Sequence, residues 1–403
     1  MRFPRLVVAF LMFAILNSQA ALSADEPINA TAPKASDANN TATENVKDAI
    51  PEVLTFPLPQ PDATGTAEPQ PIVVPLVPRR IALLLPLKSA TFGHAADAVK
   101  EGFLAASQIP GAEPSALIEI YDSEEGSKNL LPIYNRVLTD NVSVVVGPMT
   151  RGEVTAIARS GMVTTPTLAL NVPENDAMAL PPLFYSLNLS QENEARQLAN
   201  IAFTRGLRRA AIVTTAGALS KRVHAAFADE WLKLGATTTL EFPYNPDQKL
   251  LAEFRTALKA QLVDVVFIAT DASIARKIRP YIRASLPTFA TSQIFRSKND
   301  SALNMDLKDV QFVDMPWLIN PDHAAVMVYP QPKKSMTAEL QRFYALGIDA
   351  YRLAQVLLRG EPFPAEPIDG VSGRISLTSG HWFSRELLPA TFDATGAAKP
   401  ITP

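Results

Sequence analysis

No cysteine occurs among the 403 residues. That absence removes disulfides, thiolate metal sites, cysteine nucleophiles and any lipid carried on a lipobox cysteine. Histidine is scarce: only His94, His224, His323 and His381 are present. None falls in a helical metalloprotease pattern or near a second candidate metal ligand, so no metal site is expected. Charge is thin and balanced, 37 Lys and Arg against 40 Asp and Glu for a net of −3. With no basic run, nucleic acid is not an expected partner. No apolar run reaches the roughly 20 residues that a membrane-spanning helix needs, so no stable membrane span is expected. With 47% hydrophobic residues, the chain can still bury a sizeable core.

The N-terminus carries an address. Arg2 and Arg5 precede the apolar run Leu6–Leu16, and Ser18, Ala20, Ala21, Ser23 and Ala24 follow before acidic Asp25 and Glu26. This is the layout of a cleaved export signal over residues 1–24, which places the mature chain in an exported compartment, the periplasm, as a soluble protein. Residues 25–78 are rich in Pro, Ala, Thr, Asp and Asn, with Phe56 as the sole aromatic. Such a segment buries too little apolar surface to offset the entropy of ordering and reads as a disordered tether.

From residue 79 the texture becomes that of an α/β protein. Ile81 to Leu85 form a continuous apolar run ended by Pro86, as in a strand buried on both faces of a sheet. Ala96, Val99, Phe103 and Ala106 follow at helical spacing up to Gly111, and a strand is expected at Leu117–Tyr121. The alternation continues with a helix at Leu130–Leu138, strands at Val142–Val146 and Thr167–Leu170 with a helix after Thr150 between them, and a strand at Phe184–Leu187. A second series then has helices near Glu192–Thr204, Val223–Leu234 and Leu250–Leu262 with strands at Ala210–Val213, Thr237–Phe242 and Val263–Ala269. Pro280 predicts a kink or restart in the next helix. Residues 299–336 read as irregular, a long amphipathic helix covers Leu340–Leu357, and strands are expected at Gly373–Leu377 and Leu388–Phe392.

Strands alternating with helices of ten or more residues imply parallel βαβ units. The division expected is a first lobe from 79–188 and 317–360, a second from 189–316 and 361–394, and a tail at 395–403.

Catalytic signatures are missing. There is no Gly-x-Ser-x-Gly elbow, and no serine is followed three residues later by lysine. The first strand leads into Leu-Pro-Leu-Lys-Ser, which lacks the glycine nest that cradles pyrophosphate. Asp122, Glu124 and Glu125 cluster after a strand, where carboxylates are ordinarily solvated. No enzyme and no cofactor is expected.

Ligands of open parallel sheets sit beyond the carboxyl ends of the strands, where loops and helix N-termini converge. The polar residues there are Ser89, Asp122, Thr150 and Asn171 in the first lobe and Thr215, Asp271 and Ser292 in the second, suited to hydrogen-bonding a small polar ligand. Thr150 and Asp271 are equally good helix caps, and Thr215 and Asn171 can simply satisfy loop backbone. Trp317 reads either as an anchor at the lobe junction or as a ligand platform.

Seven segments carry a family resemblance. Arg-Ile-Ala-Leu-Leu-Leu-Pro-Leu from Arg80, Val-Gly-Pro-Met-Thr from Val146, Leu-Ala-Leu-Asn from Leu168 and Phe-Tyr-Ser-Leu-Asn-Leu-Ser from Phe184 resemble the penicillin-binding-protein activator, or LppC-type, family. So do Ala-Thr-Ser-Gln-Ile from Ala290, Val-Gln-Phe-Val-Asp-Met-Pro-Trp from Val310 and Gly-Ile-Asp-Ala-Tyr from Gly347. The match runs from about 79 to 392. It implies a type I periplasmic binding protein-like fold, two Rossmann-like lobes joined by three crossings. It also implies a non-catalytic regulator of peptidoglycan synthesis that binds a penicillin-binding protein as its partner. The alternative is a solute-binding protein of a transporter, taking an amino acid or a small cell-wall fragment. Two features depart from the family pattern: no lipobox cysteine is present, and no helical-repeat domain precedes the binding-protein-like part, so lipid anchoring in the outer membrane is not implied.

Overall fold

A computed structural model describes residues 79–401 apart from 111–115, 125–126, 176 and 298–299. The signal at 1–24, the tether at 25–78 and the helix breaker Gly111 lie outside the described residues.

The first series runs β1 (Arg80–Leu85), α1 (Gly93–Ser107), β2 (Leu117–Asp122), α2 (Ser127–Thr139), β3 (Val144–Val146), α3 (Arg151–Arg159), β4 (Thr167–Ala169) and β5 (Phe184–Ser186). The second runs α4 (Gln191–Thr204), β6 (Arg209–Thr214), α5 (Ala218–Lys233), β7 (Thr237–Pro243), α6 (Gln248–Ala260), β8 (Val265–Ile268), α7 (Ala272–Ile278), β9 (Thr288–Ala290), α8 (Ser301–Asn304) and β10 (Val310–Asp314). Next come α9 (Pro316–Ile319), α10 (Ala324–Met327) and α11 (Ala338–Arg359). The last strands are β11 (Ile368–Gly370), β12 (Gly373–Thr378), β13 (Trp382–Glu386), β14 (Leu388–Phe392) and β15 (Ala398–Pro400).

Two sheets result. The first has the order β11-β12-β13-β5-β4-β3-β1-β2, the second β15-β14-β10-β9-β8-β6-β7. Strands β1 to β5 are mutually parallel, as are β6 to β10. The late strands add antiparallel edges. Ile81 to Leu85 are fully buried, because helices cover both faces of a parallel sheet. As Pro280 requires, α7 stops at Ile278 and a 3-10 turn, Arg279–Tyr281, takes over.

The chain passes between the sheets three times: at 187–190 between β5 and α4, at 315–337 between β10 and α11, and at Leu387 between β13 and β14. Helix α11 returns to the first sheet and packs along α1. A Cβ on Gly102 would lie 1.9 Å from the Tyr344 carbonyl oxygen, and one on Gly347 2.1 Å from that of Val99, so the two backbones touch where both lack side chains. Phe103 and Tyr351 extend the contact edge-to-face at 5.2 Å.

Three sequence expectations need correction. Residues 361–394 do not all join the second lobe: β11, β12 and β13 extend the first sheet, through the Trp382–Ser186 pair and the packing of Phe363 and Phe383 on Tyr185. The expected tail holds β15, paired with β14. The stretch 299–336 contains β10, a central strand of the second sheet, with short helices on either side. Among the described residues no helix is long and apolar enough to cross a membrane.

Candidate functional site

A cavity of about 870 Å³ opens at the carboxyl ends of β6, β8, β9 and β10. The loops after β6, β8 and β9 supply Thr215, Asp271 and Ser292, the end of β10 supplies Asp314, and the three crossings supply Leu189, Met315 and Leu387. Local chemistry explains the loops. Asp271 Oδ1 accepts from the backbone N–H groups of Ser273 at 2.7 Å and Ile274 at 3.1 Å, which starts α7. Ser220 Oγ accepts from the Thr215 N–H at 2.9 Å. Helix α5 is preceded by Gly217, an N-cap with no side chain to bond the first turn, and its start lines the cavity.

Of the residues singled out from the sequence, Thr215, Asp271 and Ser292 line this cavity and Ser89, Asp122, Thr150, Asn171 and Trp317 do not. Ser89 is buried, its Oγ accepting from the Thr91 and Phe92 N–H groups. Asp122 lies 3.2 Å from Lys88 Nζ. Asn171 bridges Met149 O and the Val172 N–H, both at 2.9 Å. Trp317, 1% exposed, packs at 5.3 Å against Tyr344 of α11, which makes it an anchor of the second crossing. Thr150 caps α3 in a reciprocal box with Glu153. Thr150→Ala is therefore expected to lower stability by about 1 kcal/mol in urea titration and to leave the cavity unchanged.

Sequence reasoning missed the most constrained group of charges. Glu194 on α4 and Asp314 at the end of β10 belong to the second lobe; Arg342 on α11 and Arg385 on β13 belong to the first, and all four line the cavity. Glu194 accepts from Ser292 N at 2.8 Å and Ser292 Oγ at 3.0 Å. Arg342 forks onto both Asp314 oxygens, at 3.0 and 2.6 Å, and reaches the carbonyls of Ser292 and Phe295. Arg385 donates to the carbonyls of Asn188 at 2.7 Å and Ser372 at 2.6 Å. Gln197 adds a two-way clasp on the backbone of Leu387. The first and third crossings are thereby tied to Arg385 and Gln197, and Arg342 ties α11 to the end of β10. Burial, aided by the Asp314 charge, pushes the Glu194 carboxyl up to about 7, against the Ser292 N–H and the two guanidiniums, which favour its charged form.

Three of the four histidines have structural surroundings: His224 lies 3.2 Å from Glu241, His323 caps α10, and His381 packs on Tyr185.

A family model described as "LppC putative lipoprotein" matches residues 75–394. The chain belongs to the LppC family. Among its relatives, the penicillin-binding protein activator LpoA of Vibrio antiquarius (strain Ex25) is 28% identical over 345 residues, 77% of this chain and 56% of that protein. The chain thus spans about half the length of the curated relatives it matches. A solved structure from Chromobacterium violaceum ATCC 12472, assigned to a branched-chain amino acid ABC transporter, is 34% identical, with a TM-score of 0.67 over 78% of this chain and 99% of that one. The C-domain of LpoA from Haemophilus influenzae, described as a regulator of PBP1A, is 21% identical with a TM-score of 0.66 over 80% of this chain and 100% of that one. Both likenesses agree with the bilobal, type I binding protein-like fold of this LppC member.

Proposed function

We propose that this LppC-family chain is a non-catalytic periplasmic regulator of peptidoglycan synthesis that acts by binding a synthase of the penicillin-binding type. The observation that carries this reading is the 28% identity to LpoA activators across 77% of the chain. Two lobes hinged at three crossings, with hydroxyls, amides and paired charges in the cavity wall, suit gripping a partner. The N-terminal signal supports the periplasm. The family description names a lipoprotein, but none of these 403 residues is a cysteine that could carry the lipid. A tagged full-length chain is expected to retain a peptidoglycan synthase in pull-downs and to raise its glycan polymerisation rate. No captured synthase and no rate change would overturn the proposal.

A second reading, a solute-binding protein for an amino acid or muropeptide, draws on the 34% identity to the Chromobacterium protein and on the 870 Å³ cavity. Thr215, Asp271 and Ser292 would then contact the ligand. A ligand that binds only the folded state raises the melting temperature, so a thermal-shift hit among amino acids or cell-wall fragments would favour this reading, and its absence the first.

A further inference from the structure

The geometry points to Glu194 as a proton-operated latch of the lobe junction: the neutral acid fits buried among Asp314, Arg342 and Arg385 where the lobes meet, and its ionisation favours opening the junction to water. The proposal rests on the regulator reading only in giving the opening a purpose. The polar and charged groups that act on this carboxyl come from both lobes: Ser292 from the turn after β9, Asp314 from β10, Arg342 from α11 and Arg385 from β13. On its own helix, Glu192 is turned aside to Arg222 of α5 at 2.7 Å. With Glu194 neutral, Arg342 and Asp314 remain forked together and the Ser292 hydroxyl can accept from the acid, a weaker bond than the charge-assisted one it donates to the carboxylate. Ionisation places a second buried negative charge beside Asp314. Its counter-charges belong to the other lobe and are already engaged, Arg342 by Asp314 and Arg385 by two backbone carbonyls.

Burial is the largest influence on Glu194 and holds its carboxyl at about 7 rather than 4.5. A junction opened to water relieves that burial and lowers the value, so by linkage rising pH favours the open form. The same sign applies to unfolding. Between about 4.5 and 7 the folded chain keeps a proton that the unfolded chain has released, so this group's contribution to stability is complete below 4.5 and is lost as pH rises through about 7.

The cysteine-free chain allows a clean test. Asn135→Cys on α2 and Glu253→Cys on α6 place a donor and acceptor dye on exposed sites of the two lobes. Energy transfer in the full-length labelled chain is expected to change with a midpoint near pH 7. Adding Glu194→Gln, an uncharged mimic of the acid, should hold the low-pH value from pH 5.5 to 8.5. Should that variant not fold, Ser292→Ala serves instead: losing a donor to the carboxylate, it should move the midpoint to higher pH. A pH-independent signal in the parent chain, a midpoint that persists in Glu194→Gln, or a Ser292→Ala midpoint that stays put or falls would each overturn the latch. No synthase enters the measurement, so its outcome is independent of the pull-down.

Discussion

Gly347→Ala and Gly102→Ala are each expected to destabilise the fold by about 3 kcal/mol, read as a lowered urea midpoint with an unchanged slope. Helix propensity alone argues the other way, since alanine in a helix interior is favoured over glycine by about 1 kcal/mol. The contact geometry decides the sign. At both positions the added methyl would fall about 2 Å from a backbone carbonyl oxygen of the facing helix, and backbone cannot move aside as a flexible side-chain end can. The helices must separate, and that loosens the packing of Phe103 on Tyr351 and of α11 on the first sheet. Because the two glycines sit in one contact, the double variant should cost less than the sum of the singles: once α1 and α11 have parted, the second methyl finds room.

Arg342→Met is expected to cost about 3 to 5 kcal/mol, the penalty for leaving a buried ion without its partner. Asp314 is 1% exposed and, among the described residues, would keep only the Met315 N–H, while the Phe295 carbonyl would lose the guanidinium and that of Ser292 would retain the Phe295 N–H alone. Arg342→Lys should recover part of this at most, because one ammonium cannot reproduce the planar fork that reaches two carboxylate oxygens and two carbonyls together. Asp314→Asn combined with Arg342→Met should be less harmful than Arg342→Met alone, since no uncompensated carboxylate remains. Urea titration of the three variants checks the order.

Much of the architecture could be read from the chain because strands such as β1 and β6 are continuous apolar runs bounded by helices of more than ten residues. The failures have definite physical sources. Strand β10 is interrupted by the polar Gln311 and lies between four-residue helices that no periodicity window detects. For β11 to β13, alternation tells which side chains are buried and nothing about which sheet accepts the strand; that choice rests on one bridge, Trp382 to Ser186, and an aromatic cluster. The strand-end rule located Thr215, Asp271 and Ser292 on the cavity, but it applies equally to the loops of the first sheet, where Ser89, Thr150 and Asn171 are spent on capping and turns. Glu194, Asp314, Arg342 and Arg385 carry no local signature, because only the crossings bring such distant positions together.

Because the polypeptide threads the junction three times, neither half is a contiguous stretch of chain. Any single cut leaves at least one fragment that carries strands of both sheets, and a protease that severs one strap leaves two others holding. The halves therefore fold and are degraded as a unit, and neither can be swapped for a homologous half by a single recombination event.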